Sequence, residues 1–269
     1  MEAVAQLLDI MRRLRDPHDG CPWDREQTFA TIVPHTLEEA YEVADAIERE
    51  DWNELRTELG DLLFQIVFYA QMGQEQDKFD FEDIVVAIND KLVRRHPHVF
   101  ADEHIETSAE QTEAWEQHKL AERQAKSATE GRDHSVLDGV ARGLPALTRA
   151  AKLQRRAARV GFDWKRTEPV MDKLREEIDE LQLALDIEAT PEDMFEELGD
   201  VIFTCVNLAR HLDVDAESAL RHANAKFEDR FRQVEAHFAE RGGMESASAE
   251  EMDQIWEHVK RQQSAEQED

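Results

Sequence analysis

Glu38-Glu39-Ala40-Tyr41-Glu42, followed after a helix-length gap by Glu58-Leu59-Gly60-Asp61, is the stretch that decides the fold of this 269-residue chain. The same order returns as Glu176-Glu177-Ile178-Asp179-Glu180 and then Glu197-Leu198-Gly199-Asp200. Each set reads Glu-Glu-x-x-Glu and then Glu-x-x-Asp. Residues three apart share one face of a helix. Two such helices side by side therefore converge four carboxylates. Such a group repels itself unless a cation lies within it, and a hard divalent cation with oxygen ligands suits that setting. The plainer reading of any one pair is a solvated helix face in an acidic chain.

Glu39 has a narrower alternative. Thr36 followed three residues later by Glu39 reads as a capping box, with Pro34 ending the preceding segment. In the second copy the helix is expected to start near Pro169. Glu176 and Glu177 then lie about two turns inside it, at about 3.6 residues per turn, where capping does not account for them.

Working outward, the chain reads as all-α. Glycine (10) and proline (7) are few and β-branched alternation is rare. Apolar spacing predicts helices over 3–14, 81–95, 109–120, 146–159, 170–188, 191–212, 215–240 and 249–263, and a long one from Asp51 to Gln74. Residues 1–120 read as an N-terminal repeat, 121–143 as a polar connection and 144–269 as a C-terminal repeat.

Lys+Arg 32 against Asp+Glu 61 gives a net charge of −29. That balance speaks against nucleic acid or an anionic membrane as partner, since both need clustered cations. Cys21 and Cys205 suggest no disulfide framework, as expected in a reducing compartment, and read as small, mostly buried hydrophobes. Met1–Leu14 is amphipathic and charged, unlike a signal peptide. The apolar runs Leu62–Met72 and Val201–Ala209 are too short to span a bilayer and are broken by Gln65, Gln71 and Asn207. The expectation is a soluble cytoplasmic protein. No Gly-x-x-x-x-Gly-Lys-Ser/Thr is present, which excludes a P-loop. No Glu-x-x-His occurs, which argues against a di-iron carboxylate bundle.

The two halves match beyond their acids. Glu39 pairs with Glu177 (177 − 39 = 138) and Asp61 with Asp200 (200 − 61 = 139). Lys91 and Arg95 pair with Lys226 and Arg230 (226 − 91 = 135), and Trp115 with Trp256 (256 − 115 = 141). Four landmarks in one order imply a duplicated helical module.

On these residues the chain resembles the MazG family of nucleoside triphosphate pyrophosphohydrolases, in its two-repeat bacterial form. Further carriers are Cys21-Pro22-Trp23-Asp24-Arg25-Glu26-Gln27-Thr28, Arg94-Arg95-His96-Pro97-His98-Val99-Phe100, Gly161-Phe162-Asp163-Trp164 and Asn207-Leu208-Ala209-Arg210-His211. The resemblance implies an all-α pyrophosphatase fold with four-helix cores completed by module pairing in a homodimer. It implies Mg2+-dependent hydrolysis, with Mn2+ as a substitute, of ribo- and deoxyribonucleoside triphosphates to monophosphate and pyrophosphate, as nucleotide-pool house-cleaning. Glu177, Glu180, Glu197 and Asp200 would hold the metal. Glu39, Glu42, Glu58 and Asp61 would be a second copy of that site, with most activity expected in the C-terminal repeat and a retained fold with weak or no turnover as the plainer reading of the first. Glu176 is the candidate for positioning the attacking water. Lys226 and Arg230 would meet phosphates, Lys173 would add a phosphate contact, and Trp256 would meet base or ribose. Lys91 and Arg95, the N-terminal counterparts of Lys226 and Arg230, and Trp23 are further nucleotide-binding candidates.

Structural alternatives stand beside these roles. The Lys/Arg pairs could serve surface ion pairs, and the tryptophans a core or an interface. Gly60 and Gly199, each costing about 1 kcal/mol mid-helix, suit either close helix packing or room for a ligand. His96 and His98 read as structural or as minor phosphate contacts. Two rival functions are an acidic helical binding module without turnover and a hydrolase selective for one nucleotide.

Overall fold

The computed structural model describes residues 2–101, 107, 110–111, 114–115, 135–239 and 242–266. The chain divides into two compact units, Met1–Lys119 and Leu120–Asp269. Among the described residues every regular element is helical, and no helix is long and apolar enough to cross a membrane.

The first unit holds α1 (Glu2–Leu14), α2 (Pro22–Glu26), α3 (Phe29–Glu48), α4 (Trp52–Glu75), α5 (Phe81–Arg95) and the short α6 (Pro97–Phe100). α3 and α4 form an antiparallel hairpin, as two cross-contacts show: Thr36 meets Tyr69 and Glu39 meets Gln65. α1 lies along α4, and the core between them is Met11, Ile32, Val67, Phe68 and Met72. Asp51 caps α4 by accepting from the backbone N–H groups of Asn53 and Glu54, satisfying donors that no helix satisfies internally.

The start of α3 corrects the sequence reading. Thr28 is the N-cap, and it exchanges side-chain and backbone hydrogen bonds with Thr31. Pro34 lies inside the helix, where its missing N–H forfeits one bond. Thr36 is therefore a mid-helix residue. Its hydroxyl bonds the Ile32 carbonyl at 3.1 Å and the Tyr69 hydroxyl at 2.9 Å. The capping-box alternative for Glu39 falls away.

The second unit holds α7 (Ala146–Arg159), α8 (Thr167–Asp186), α9 (Pro191–His211), α10 (Ala216–Ala239) and α11 (Ala249–Glu266). α8 and α9 form its principal hairpin, with Val170, Ala184 and Val206 buried, while Cys205, expected to be mostly buried, is exposed on α9 and Cys21 in the first unit is partly buried. α10 and α11 enclose a second cluster, Val234, Phe238 and Val259, with Trp256 against it. The helix expected over 109–120 lies largely outside the described residues. The connection over 121–143 is described only from Ser135 onward, where it carries no helix.

The duplication reaches the turns. Each principal hairpin reverses through a glutamate in the left-handed region, Glu50 (φ 54) and Glu188 (φ 50). In both, the residue after it donates back into the preceding helix at 2.9 Å, Asp51 to Ala46 and Ala189 to Ala184. Each second helix ends the same way, through Asp77 (φ 52) and Asp213 (φ 56). These are glycine-type helix ends made without glycine.

Candidate metal and nucleotide site

The helix registers place the two acid sets identically. Glu39 and Glu177 are each the eleventh residue of a 20-residue helix (39 − 28 = 177 − 166 = 11). Glu58 and Glu197 are each the seventh residue of the following helix, and Asp61 and Asp200 the tenth (61 − 51 = 200 − 190 = 10). Antiparallel pairing then brings the acids of the two helices face to face.

In the first unit, one carboxylate oxygen from each of Glu39, Glu42 and Glu58 lies within 4.8 Å of the others. In the second, the same holds for Glu177, Glu197 and Asp200. Asp61 falls outside the first triad and Glu180 outside the second. Both still act on their neighbours: Asp61 is among the charges raising the Glu39 and Glu58 carboxyls, and Glu180 and Glu177 lie close enough that Glu177 raises the Glu180 carboxyl. Glu176 is half-exposed, outside the triad, and bonded to Lys173.

The electrostatics differ between the copies. Burial, and then the charges of Asp61 and Glu42, push the Glu39 carboxyl above the ordinary glutamate range. The Gln65 amide, donating at 3.2 Å, pulls the other way. Glu58 is pushed up by burial and then by Glu42 and Asp61. In the second unit the Lys173 ammonium lies 2.6 Å from Glu176 and 3.0 Å from Glu177, and these bonds hold it far above the usual lysine range. Glu180 is raised by burial, with Lys173 opposing.

These residues fit a hard divalent cation. Both triads offer carboxylate oxygens only, with no histidine or cysteine, which suits Mg2+ or Mn2+ over a softer metal. Carboxyls raised by burial and by one another are also groups that a dication would relieve.

A pH dependence follows. Glu39 and Glu58 have folded pKa values above their unfolded ones, so the folded state binds more protons across that interval. Their contribution to stability is therefore lost as pH rises from the ordinary value of 4.5 through the raised folded values. Thermal melts in EDTA from pH 5 to 7.5 should show this loss, and Glu39→Gln should flatten it. An unchanged profile in the variant would remove Glu39 as its source.

The remaining candidates lie as follows. Lys226 and Arg230 stand four residues apart on α10. Arg230 Nε donates to Gln263 at 2.8 Å, and no recorded hydrogen bond or ion pair among the described residues joins either to the triad. Trp256 packs against Phe227, ring centres 5.3 Å apart, and is partly buried. Lys91 and Arg95 lie on α5, and the Arg95 carbonyl accepts from Trp115 Nε1 at 3.1 Å. Trp23 is half-exposed, edge-on to His35 and Phe68. Gly60 and Gly199 face open space, so close packing within the unit does not explain them.

Several partners were not visible in the sequence. The three polar residues interrupting the apolar runs each meet a charged group: Gln65 Glu39, Gln71 Glu75, and Asn207 Arg210. Two motifs of the second half also bind each other. Asp163 accepts from Arg210 through both terminal nitrogens, at 2.9 and 2.5 Å, and lies 3.1 Å from His211. This ties the Gly161–Trp164 bend to the end of α9. In the first unit Arg15 makes a comparable tie, to Glu75 and to the Asp24 carbonyl.

Fold and site together define a two-repeat, all-helical protein with a carboxylate triad on the principal hairpin of each repeat. Both hairpins coincide with matches to the MazG nucleotide pyrophosphohydrolase domain, over residues 27–100 and 165–235. The chain belongs to the MazG family. It is 57% identical over 265 residues to the nucleoside triphosphate pyrophosphohydrolase of Escherichia coli strain K12, covering 98% of this chain and 99% of that one. It is 40% identical to the nucleoside triphosphate pyrophosphohydrolase/pyrophosphatase MazG of Thermotoga maritima, covering 95% and 94%. A Mycobacterium tuberculosis nucleoside triphosphate pyrophosphohydrolase is 31% identical, covering 87% and 59%.

Proposed function

We propose that this protein hydrolyses nucleoside triphosphates, both ribo- and deoxyribo-, to the monophosphate and pyrophosphate in the presence of Mg2+. The observation that carries this reading is the set of four acids at matching helix positions in both repeats of a MazG chain, three of which converge in each. The names of the relatives support it.

Glu177, Glu197 and Asp200, with Glu180 beside them, would hold the cation, and Glu39, Glu42, Glu58 and Asp61 are the matching set. When bound, a divalent cation supplies Lewis-acid chemistry, neutralising phosphate charge and making hydroxide accessible near neutral pH. Glu176 orients water toward the α-phosphorus and takes its proton. The bond from that phosphorus to the α–β bridging oxygen breaks, and pyrophosphate leaves. Lys226 and Arg230 neutralise charge building on the leaving group. Trp256 and Phe227 offer an aromatic face to the base, which every base accepts. That suits a broad substrate range and a cytoplasmic role in clearing the nucleotide pool.

Incubation with Mg2+ and a panel of NTPs and dNTPs, scoring pyrophosphate against orthophosphate, tests this. Pyrophosphate from several substrates is expected. Orthophosphate in its place removes the assignment, release from one substrate shows a specialist, and no release favours a binding module.

The protein also acts as a homodimer. Leu37, Leu59, Ile66, Leu198, Ile202 and Phe203 are exposed on the carboxylate hairpins, and large exposed apolar surface marks sites of association. Light scattering should give about twice 31.1 kDa; a monomer mass at working concentration would sink the pairing.

A further inference from the structure

Lys173 stands four residues before Glu177 on α8, with its Nζ 3.0 Å from Glu177 and 2.6 Å from Glu176. The order lysine-then-glutamate at this spacing is the weaker one for helix stabilisation. Glu177 is moreover buried, with 6% of its surface exposed, and sits in the triad with Glu197 and Asp200. The contact is therefore unlike the exposed ion pairs elsewhere on these helices. Among the described residues of the first unit, no lysine or arginine stands at this register. His35 holds the same register, four residues before Glu39, and lies 3.7 Å from Glu38 instead. Glu39 there receives a neutral amide from Gln65.

We propose that Lys173 is a built-in competitor for the divalent cation of the second repeat, holding the Glu177 carboxylate until the cation displaces it. An ammonium and a dication drawn to one carboxylate repel each other. Glu176, outside the triad and closer to Nζ, keeps the displaced ammonium, whose four-carbon stem allows the move. Lys173 is thus a positioning residue that sets the threshold for metal loading, held by Glu176 once the cation is bound. The first repeat carries no such threshold.

This rests on the reading of the triads as metal sites, and the test separates the two. Mn2+ is titrated calorimetrically into the full chain without nucleotide. A Glu39→Gln/Glu58→Gln background leaves the second triad as the binding site. Lys173→Met should tighten Mn2+ on the order of tenfold, the scale of one charge-assisted hydrogen bond, while Lys173→Arg stays within about threefold. Adding Glu177→Gln should erase the difference between lysine and methionine. Unchanged or weaker Mn2+ binding in Lys173→Met, with helix content intact by circular dichroism, overturns the proposal and leaves the metal site standing. No Mn2+ binding by either protein overturns the metal site itself.

Discussion

Glu177→Ala should lower nucleoside triphosphate turnover on the order of 100-fold or more, the scale expected when charge stabilisation at the reacting phosphate is lost. Glu177 is the buried member of its triad, and its partners Glu197 and Asp200 come from the facing helix. Removing it leaves the triad's two acids on one helix, with Glu180, outside the triad, on the other. Asp200→Ala should act the same way. Glu39→Ala and Asp61→Ala should cost only a few-fold. The first unit carries the matching acids, but its register position is His35 where the second has Lys173 beside the triad. If the second-repeat variants keep their turnover, the assignment of the working site is wrong. If all four variants lose it together, the two repeats work as one.

Phe68→Ala should destabilise the protein by about 3–5 kcal/mol, the largest stability effect expected in the first unit. Phe68 is fully buried among Met11, Ile32, Val67 and Met72. Its ring meets Trp23 at 6.5 Å and Phe64 at 5.9 Å, both edge-on, and the Arg15 guanidinium lies 5.3 Å from its centre. Arg15 in turn grips Glu75 and the Asp24 carbonyl. The truncation thus opens a cavity and loosens the Cys21–Thr28 stretch against α4. Urea unfolding should show a lower midpoint at an unchanged slope. A loss below about 1 kcal/mol would mean the core closes over the gap.

The sequence disclosed those elements whose ends carry local signals. α5 was legible from Phe81 to Arg95 because its apolar spacing runs up to His96-Pro97, which closes it, and the structure adds Asp80 as the cap at the other end. α7 was legible because Pro145 precedes it and glycine follows. α3 was misread for a physical reason. Its cap is a Thr28–Thr31 pair instead of the threonine–glutamate pattern, and Pro34 is tolerated at the loss of one bond. The acid triads were legible because i, i+3 spacing fixes a helix face before any tertiary contact forms. Which three acids of each four converge was not legible. That depends on how α4 and α9 lie against their partners, which the spacing along one helix does not contain. Gln65 against Glu39 and Asp163 against Arg210 are likewise tertiary. Their sole local trace is a polar residue where an apolar one was due, or an aspartate in a bend.

Gly60 and Gly199 bear on more than room for a ligand. A methyl group at either would meet nothing within 4 Å of its own chain. Alanine there would make each helix intrinsically firmer by about 1 kcal/mol with no clash to offset it. Judged by its own contacts, each unit would thus be better off without these residues. Robustness of the lone unit therefore accounts for neither glycine, and both hairpins give up helix firmness at the same register (60 − 51 = 199 − 190 = 9).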